Sequence, residues 1–191
     1  MLGSNSENAR LGRRRTRRPA AFICLHLFAL TWSSELICKD SLKKDLAKQQ
    51  EKFNRQTGIV GKVKALIKIS DIHLRSARHE INRSELTAAD RDLDLYKESV
   101  ERALEMLKSS QRNAQKNPAG FKEFEISLRK QLRVLDDLRS HYSFDQVQTI
   151  NAVITTAKEA QDAMLEEIFG PENTRRRWEK ESSRHPGQPK E

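Results

Sequence analysis

Residues 59–83 read IVGKVKALIKISDIHLRSARHEINR, and this stretch decides the fold. Its apolar side chains recur every three or four residues, which is the spacing of one face of an α-helix. The pattern predicts a long helix that ends near Arg83 and buries one side. The side chains of that side are Val60, Val63, Leu66, Ile67, Leu74, Ala77 and Ile81, with Ile69 and Ile72 widening it.

Three further stretches carry the same helical spacing. They run from Leu93 to Leu107, from Phe121 to Leu138 and from Val147 to Ile168. The turn residues Asn117-Pro118-Ala119-Gly120 precede the second of them, and Gly170-Pro171 ends the last one. Helices of roughly 23 to 28 residues joined by short connections favour antiparallel neighbours, and therefore an up-down bundle.

The sequence also carries local signals at helix starts. Thr87-Ala88-Ala89-Asp90 and Ser143-Phe144-Asp145-Gln146 both resemble capping boxes, in which an acidic or amide side chain follows the cap by three residues. Phe144 is predicted to pack back into the core. Glu98 and Arg102 are four residues apart on an outer helix face, a spacing that favours an ion pair.

A shorter and more polar helix is predicted before the bundle, over residues 41–56. Leu42, Leu46 and Phe53 lie along one side of it, and Thr57-Gly58 ends it. The chain holds only 7 Gly and 5 Pro, which favours helices over sheets. We therefore expect an all-α protein, an antiparallel bundle of about four long helices preceded by a short amphipathic helix.

The first 33 residues have the composition of an export signal. Arginines crowd residues 13–18, and a mostly apolar run follows from Pro19 to Trp32. The run has the length of a signal-peptide core and is short for a bilayer span of ~20 residues. Cleavage after Ser33 would export the protein to the periplasm or the extracellular space. The alternatives are an inner-membrane anchor through residues 20–37, a twin-arginine signal, or a lipoprotein modified at Cys38.

These features divide the chain into four segments. They are a signal peptide or N-terminal anchor (1–33), a short helix and linker (34–58), the helical bundle domain (59–170) and a disordered basic tail (171–191). Cleavage would remove Cys24 and leave Cys38 alone, so no internal disulfide is expected to hold the fold.

The net charge of +9 lies mostly outside the predicted bundle. Residues 1–33 hold six arginines and one glutamate, and residues 171–191 are also basic. The body between them is close to neutral with both signs interspersed, so it lacks the basic face of a nucleic-acid-binding domain. Lys122, Arg129, Lys130 and Arg133 lie near one another on the third long helix, but interleaved acids predict a mixed solvated surface there. No nucleic-acid partner is expected, and membrane contact is expected only if the leader is uncleaved.

No motif for catalysis, metal binding or cofactor binding stands out. His73 and His79 are six residues apart, which places them on different helix faces, and His73 does not face Asp71. Solvated or partly buried histidines are therefore expected rather than ligands. The sequence lacks the HExxH, CxxC, GxSxG and phosphate-loop motifs. Its paired acids are typical of exposed helix surfaces: Asp92 with Asp94, and Asp136 with Asp137. We predict no catalytic, metal-binding or cofactor-binding residue, and no enzyme activity.

The segment from Val63 to Gly170 resembles a group of uncharacterised exported all-helical proteins from bacteria. The shared strings are KALIKISD at 64–71, GFKEFEI at 120–126 followed by Leu128-Arg129, and EEIFG at 166–170. The resemblance implies an exported helical protein and supplies no activity or ligand. The stretch from Val63 to Leu107, followed by Pro118, is also similar in rhythm to a tetratricopeptide hairpin, although its helices are too long for a 34-residue repeat.

Two functional hypotheses follow from these patterns. The first is a non-catalytic interaction or structural protein of the bacterial envelope with an unknown protein partner. The second is a helical ligand carrier or enzyme whose site assembles between helices, or a tetratricopeptide-like binding module. The second predicts a polar, concave pocket between helices.

Overall fold

The computed structural model describes residues 40–144 and 146–171. Within these ranges every regular element is an α-helix, which confirms the predicted all-α class. Helix α1 covers residues 40–55, close to the predicted 41–56. The predicted signal peptide or anchor, Cys38 and the predicted tail after Pro171 lie outside the described residues. The other helices are α2 (Ile59–Asn82), α3 (Leu86–Lys108), α4 (Phe121–Arg139) and α5 (Val147–Phe169).

The helix ends follow the turn residues in most places. Helix α2 ends before Arg83, as predicted, and α5 ends at Gly170, whose φ of 81° favours glycine. Gly120 precedes α4 with a φ of 94°, so the predicted turn at 117–120 is also confirmed. Helices α2, α3 and α5 have 24, 23 and 23 residues, within the predicted range, whereas α4 has 19 because it already ends at Arg139.

Both predicted capping boxes are wrong. Helix α3 begins at Leu86, so Thr87 already lies inside its first turn and cannot act as the cap. Helix α5 begins at Val147, four residues after Ser143, whose hydroxyl donates to Gln146 Oε1 at 3.0 Å. A side-chain bond of this kind forms at α4 instead, where Glu123 Oε2 accepts from the Gly120 amide at 2.6 Å.

Phe144 does not pack into the core as predicted, and the buried aromatic side chain at this end of α4 is Tyr142 instead. Phe144 is 92% exposed, whereas Tyr142 is buried at 8%. The Tyr142 hydroxyl donates to Asp90 Oδ1 on α3 at 2.9 Å, which satisfies its polar end. This contact joins the end of α4 to the beginning of α3.

The apolar stripes predicted for the long helices form one continuous core. Helix α2 packs chiefly on α3 and α4 on α5, and further contacts join α3 to α5 and α2 to α4. The largest fully buried side chains of this core include Leu93, Tyr96, Leu107, Phe121, Phe124, Leu128, Leu135, Leu138, Ile150 and Met164.

Helix α1 is attached to the other helices through Phe53. Phe53 is 6% exposed. The Arg102 guanidinium of α3 lies 4.4 Å from the centroid of its ring, and Nζ of Lys62 on α2 lies 5.8 Å from the same centroid. This cation–π contact replaces the predicted ion pair between Arg102 and Glu98, which does not form among the described residues. The sequence placed Phe53 correctly on the apolar side of α1 and missed its partner.

Candidate functional site: a groove between α1, α2 and α3

A cavity of about 270 Å³ lies where α1 meets α2 and α3, and we call it the α1 groove. Its apolar lining comes from all three helices: Leu42 and Leu46 of α1, Ile72 of α2, and Ala88 and Leu95 of α3. Its polar lining consists of Lys43, His73, Ser76, Glu80, Arg91 and Asp92. The groove exists because α1 has a narrow apolar side, which covers only part of the surface that α2 and α3 present.

A histidine and an aspartate meet inside the α1 groove. His73 is 6% exposed, and its Nδ1 lies 3.4 Å from Asp92 Oδ1 on the neighbouring helix. Only 21% of the Asp92 side chain is exposed, so this pair is largely shielded from water. A separation of 3.4 Å corresponds to a weak contact. The two residues nevertheless connect α2 to α3 within the groove.

The prediction for Asp92 is wrong, because its side chain is partly buried rather than exposed on a helix surface. His73 is buried more deeply than the solvated or partly buried position predicted for it. Asp71, two residues before His73, forms an ion pair with Arg75 at 3.4 Å. His79 is partly exposed and does not line the groove. The pair was missed because His73 and Asp92 are 19 residues apart and lie on different helices.

The charged side chains that line the α1 groove differ in how far they are exposed to solvent. Glu80 is 2% exposed, and its carbonyl accepts bonds from the Arg83 and Glu85 amides at 3.0 and 2.9 Å, which fixes the backbone at the end of α2. Lys43 on α1 and Arg91 on α3 are both exposed. Glu80 therefore lies deep, Asp92 is largely shielded, and the basic side chains lie at the exposed rim of the groove.

A second cavity adjoins the α1 groove, and we call it the end cavity. It has a volume of about 560 Å³ and is lined by Ser84, Glu85, Leu86, Thr87, Ala88, Arg91 and Gln146. Ala88 and Arg91 line both cavities. The two cavities therefore meet at the first half of α3 and continue to Gln146, just before α5.

Other buried polar groups are bonded to one another within the core. Gln131 of α4 donates from Nε2 to Ser70 Oγ of α2 at 3.0 Å and accepts from the Tyr96 hydroxyl of α3 at 3.3 Å. The Ser70 hydroxyl donates in turn to the Ile67 carbonyl at 3.0 Å. Burial raises the pKa of Tyr96 well above its ordinary value. This arrangement of satisfied donors and acceptors is typical of a structural network.

The predicted basic side of α4 is partly neutralised. Arg129 donates to the buried Glu125 carboxylate at 2.6 and 3.0 Å, and Gln161 of α5 donates to the same carboxylate at 3.2 Å. The hydrogen bond to Glu125 raises the pKa of Arg129. Lys122, Lys130 and Arg133 are exposed. This surface agrees with the mixed, solvated character predicted for it.

No group of three or more His, Cys, Asp or Glu side chains suited to a metal ion occurs in residues 40–144 and 146–171. Over the same ranges, no helix is both long and apolar enough to cross a membrane.

Comparison of the chain with protein-family models, with curated proteins and with solved structures finds no match. The resemblances to exported bacterial proteins and to tetratricopeptide hairpins therefore rest on the sequence strings and their rhythm.

Proposed function

We propose that this protein is a non-catalytic binding module that holds a segment of a partner protein in the α1 groove. One observation carries the proposal: an apolar floor lies open between three helices, with cations at its rim. Leu95, in that floor, is 41% exposed, although large apolar side chains gain free energy when they are covered. Exposed apolar surface bounded by polar residues is a common feature of interaction sites.

We further propose that the long helices form two antiparallel hairpins, α2–α3 and α4–α5, placed side by side. The His73–Asp92 contact and the three-residue connection after Asn82 support the first hairpin. The Glu125–Gln161 contact supports the second. Lys64 of α2 contacts Glu123 of α4, and the later residue Ser70 contacts the later residue Gln131. Because the residue numbers increase together on both helices, α2 and α4 run in the same direction in this arrangement.

The hairpin arrangement differs from a simple up-down bundle in which every neighbour is antiparallel. Side-by-side hairpins are the building principle of helical repeat proteins, which commonly act by binding other proteins. The arrangement thus supports the binding role for which tetratricopeptide hairpins are the nearest analogue. It leaves α1 as an added helix that forms one wall of the groove.

Export to the periplasm or the extracellular space is part of the proposal and rests on the basic and apolar residues at 13–32. N-terminal sequencing of the protein from fractionated bacterial cells tests it. A start near Ser34 or Glu35 supports cleavage and export. An intact leader in the membrane fraction supports the anchor through residues 20–37, and an intact leader in the cytosol contradicts both.

The binding proposal is tested by selecting a phage-displayed library of random peptides on the purified full-length chain. Ala88→Trp fills the floor shared by both cavities, and Ala152→Trp, at an exposed position of α5, is the matched control. We expect enriched peptides that bind the wild type and the control with similar affinity and that lose binding to Ala88→Trp. Selection without enrichment, or binding that Ala88→Trp leaves unchanged, contradicts the proposal.

The second candidate function is an enzyme. The observation that favours it is that Ser76 lines the same groove as the His73–Asp92 pair. A nucleophilic serine needs a histidine nitrogen within about 2.6–3.2 Å. Among the described residues no hydrogen bond joins Ser76 to His73, so the non-catalytic role is the better supported one. Hydrolysis of a p-nitrophenyl ester that both Ser76→Ala and His73→Gln abolish would favour the enzyme.

A further inference from the structure

The segment held by the α1 groove has a definite chemistry. We propose that it is a short acidic peptide segment that inserts one large apolar side chain between α1 and α3. This inference rests on the proposed binding function and names the partner's character. It follows from the depth of the charges, the size of the cavity and its continuation along α3.

The charges of the groove select an acidic partner. Lys43 and Arg91 are exposed on two walls of the groove, and neither makes an ion pair among the described residues. Asp92 is directed to His73, and Glu80 lies at 2% exposure below the rim. A carboxylate of the partner can therefore approach both cations from solvent, and complementary charge of this kind governs the choice of partner and the rate of association.

The size of the groove selects a single anchor. Its volume of about 270 Å³ lies just below the ~300–1,000 Å³ of pockets that enclose a whole small ligand. Binding interfaces commonly place one aromatic or long aliphatic side chain in such a recess and surround it with weaker contacts. Leu42, Leu46 and Leu95 supply the apolar contacts for that side chain.

The continuation of the groove favours a peptide over a small molecule. The end cavity shares Ala88 and Arg91 with the α1 groove and extends to Gln146. A chain that anchors in the α1 groove can thus continue past Arg91 along the first half of α3. Two cations are too few for nucleic acid, where affinity depends on many phosphate contacts, and for a lipid surface, where clusters of about four to eight are usual.

The peptides selected on the full-length chain test this inference through their composition. We expect acidic residues next to a Leu, Ile, Phe or Trp in the enriched sequences. A fluorescently labelled member should bind Arg91→Glu about tenfold more weakly than the wild type, and its affinity should fall as salt is raised. Arg133→Glu, which reverses an exposed charge on α4, is the matched control and should bind like the wild type.

The possible failures can be told apart. Enriched peptides that need the groove, as judged by Ala88→Trp, but are neutral or basic overturn the acidic inference and leave the binding function standing. Absence of any enriched peptide overturns both. Light scattering on the purified chain supplies a further outcome: a dimer that Ala88→Trp dissociates would mean that a second copy covers the groove, which also overturns the inference.

Discussion

Replacing Gln131 with leucine tests whether the buried network of Ser70, Tyr96 and Gln131 holds three helices in register. Gln131 is 3% exposed and Tyr96 is 1% exposed, so water cannot replace the lost bonds. Leucine has nearly the volume of glutamine, and the substitution therefore removes polar atoms with little change of packing. Ser70 keeps its bond to the Ile67 carbonyl, whereas the Tyr96 hydroxyl loses its acceptor.

The expected cost follows from that single orphaned hydroxyl. A buried donor left without a partner costs about 1–3 kcal/mol, and we expect Gln131→Leu to lower the free energy of unfolding by this amount. Tyr96→Phe alone should cost a similar amount, because it leaves the Gln131 carbonyl oxygen without its donor. The double variant removes both polar partners and should cost little more than either single change. The predicted coupling is thus about 1–2 kcal/mol.

Urea unfolding followed by circular dichroism measures all four proteins of this double-mutant cycle. A loss of 1–3 kcal/mol corresponds to a midpoint shift of about 0.3–1.5 M for a slope near 2–3 kcal/mol/M. Gln148→Leu, at an exposed position of α5, is the control and should shift the midpoint little. Costs for Gln131→Leu and Tyr96→Phe that add to within about 0.5 kcal/mol in the double variant would refute the proposed network.

Three further predictions concern other parts of the helices. Glu123→Ala removes the bond to the Gly120 amide and should cost about 0.5–2 kcal/mol at pH 7 in urea unfolding. Burial acts to raise the pKa of Glu123, but the hydrogen bonds from Gly120 and Lys64 outweigh it, and the pKa is lowered. The stabilisation by Glu123 is therefore complete above the unfolded pKa of about 4.3, and it should be lost as the pH falls below that value. Burial is the main cause that raises the pKa of both tyrosines, Tyr96 and Tyr142. Their stabilising effect should therefore be lost as the pH rises above about 10. Phenolate absorbance should appear together with unfolding rather than before it. Gly120→Ala should cost about 1–3 kcal/mol in the same urea assay, because the φ of 94° strains any side chain there; an unchanged midpoint would contradict this.

The helices could be predicted from the sequence because their apolar side chains repeat at helical spacing. The stripe from Val63 to Ile81 is buried as expected, and so are those that begin at Leu93, Phe121 and Ile150. Capping was less predictable. Thr87 and Ser143 carry the right side chains at the right spacing from Asp90 and Gln146, but the helices start one residue before Thr87 and four residues after Ser143. A cap is worth about 1 kcal/mol, less than the ~1.5–3 kcal/mol gained by burying one large apolar side chain, so a capping pattern alone does not fix where a helix starts.

The sequence patterns do not predict the candidate site, and the reason differs from that for the caps. Each of its polar residues has an ordinary explanation on its own helix, and only contact between helices distinguishes them. His73 lies nine residues before the end of α2 and Asp92 six residues after the start of α3, and residues at comparable distances from the connection come near each other in an antiparallel hairpin. The pair can therefore be derived once the proposed hairpin is assumed, but not from the spacing of residues on either helix alone.

The groove itself depends on α1, whose packing cannot be read from local sequence. The apolar side of α1 consists of Leu42, Leu46 and Phe53, and only Phe53 is fully buried. Arg102 and Lys62 hold its ring at one end of α1, while the other end leaves Leu42 and Leu46 partly exposed over the groove. In the proposed binding role, an apolar side chain of the partner completes the contacts that Leu42 and Leu46 lack.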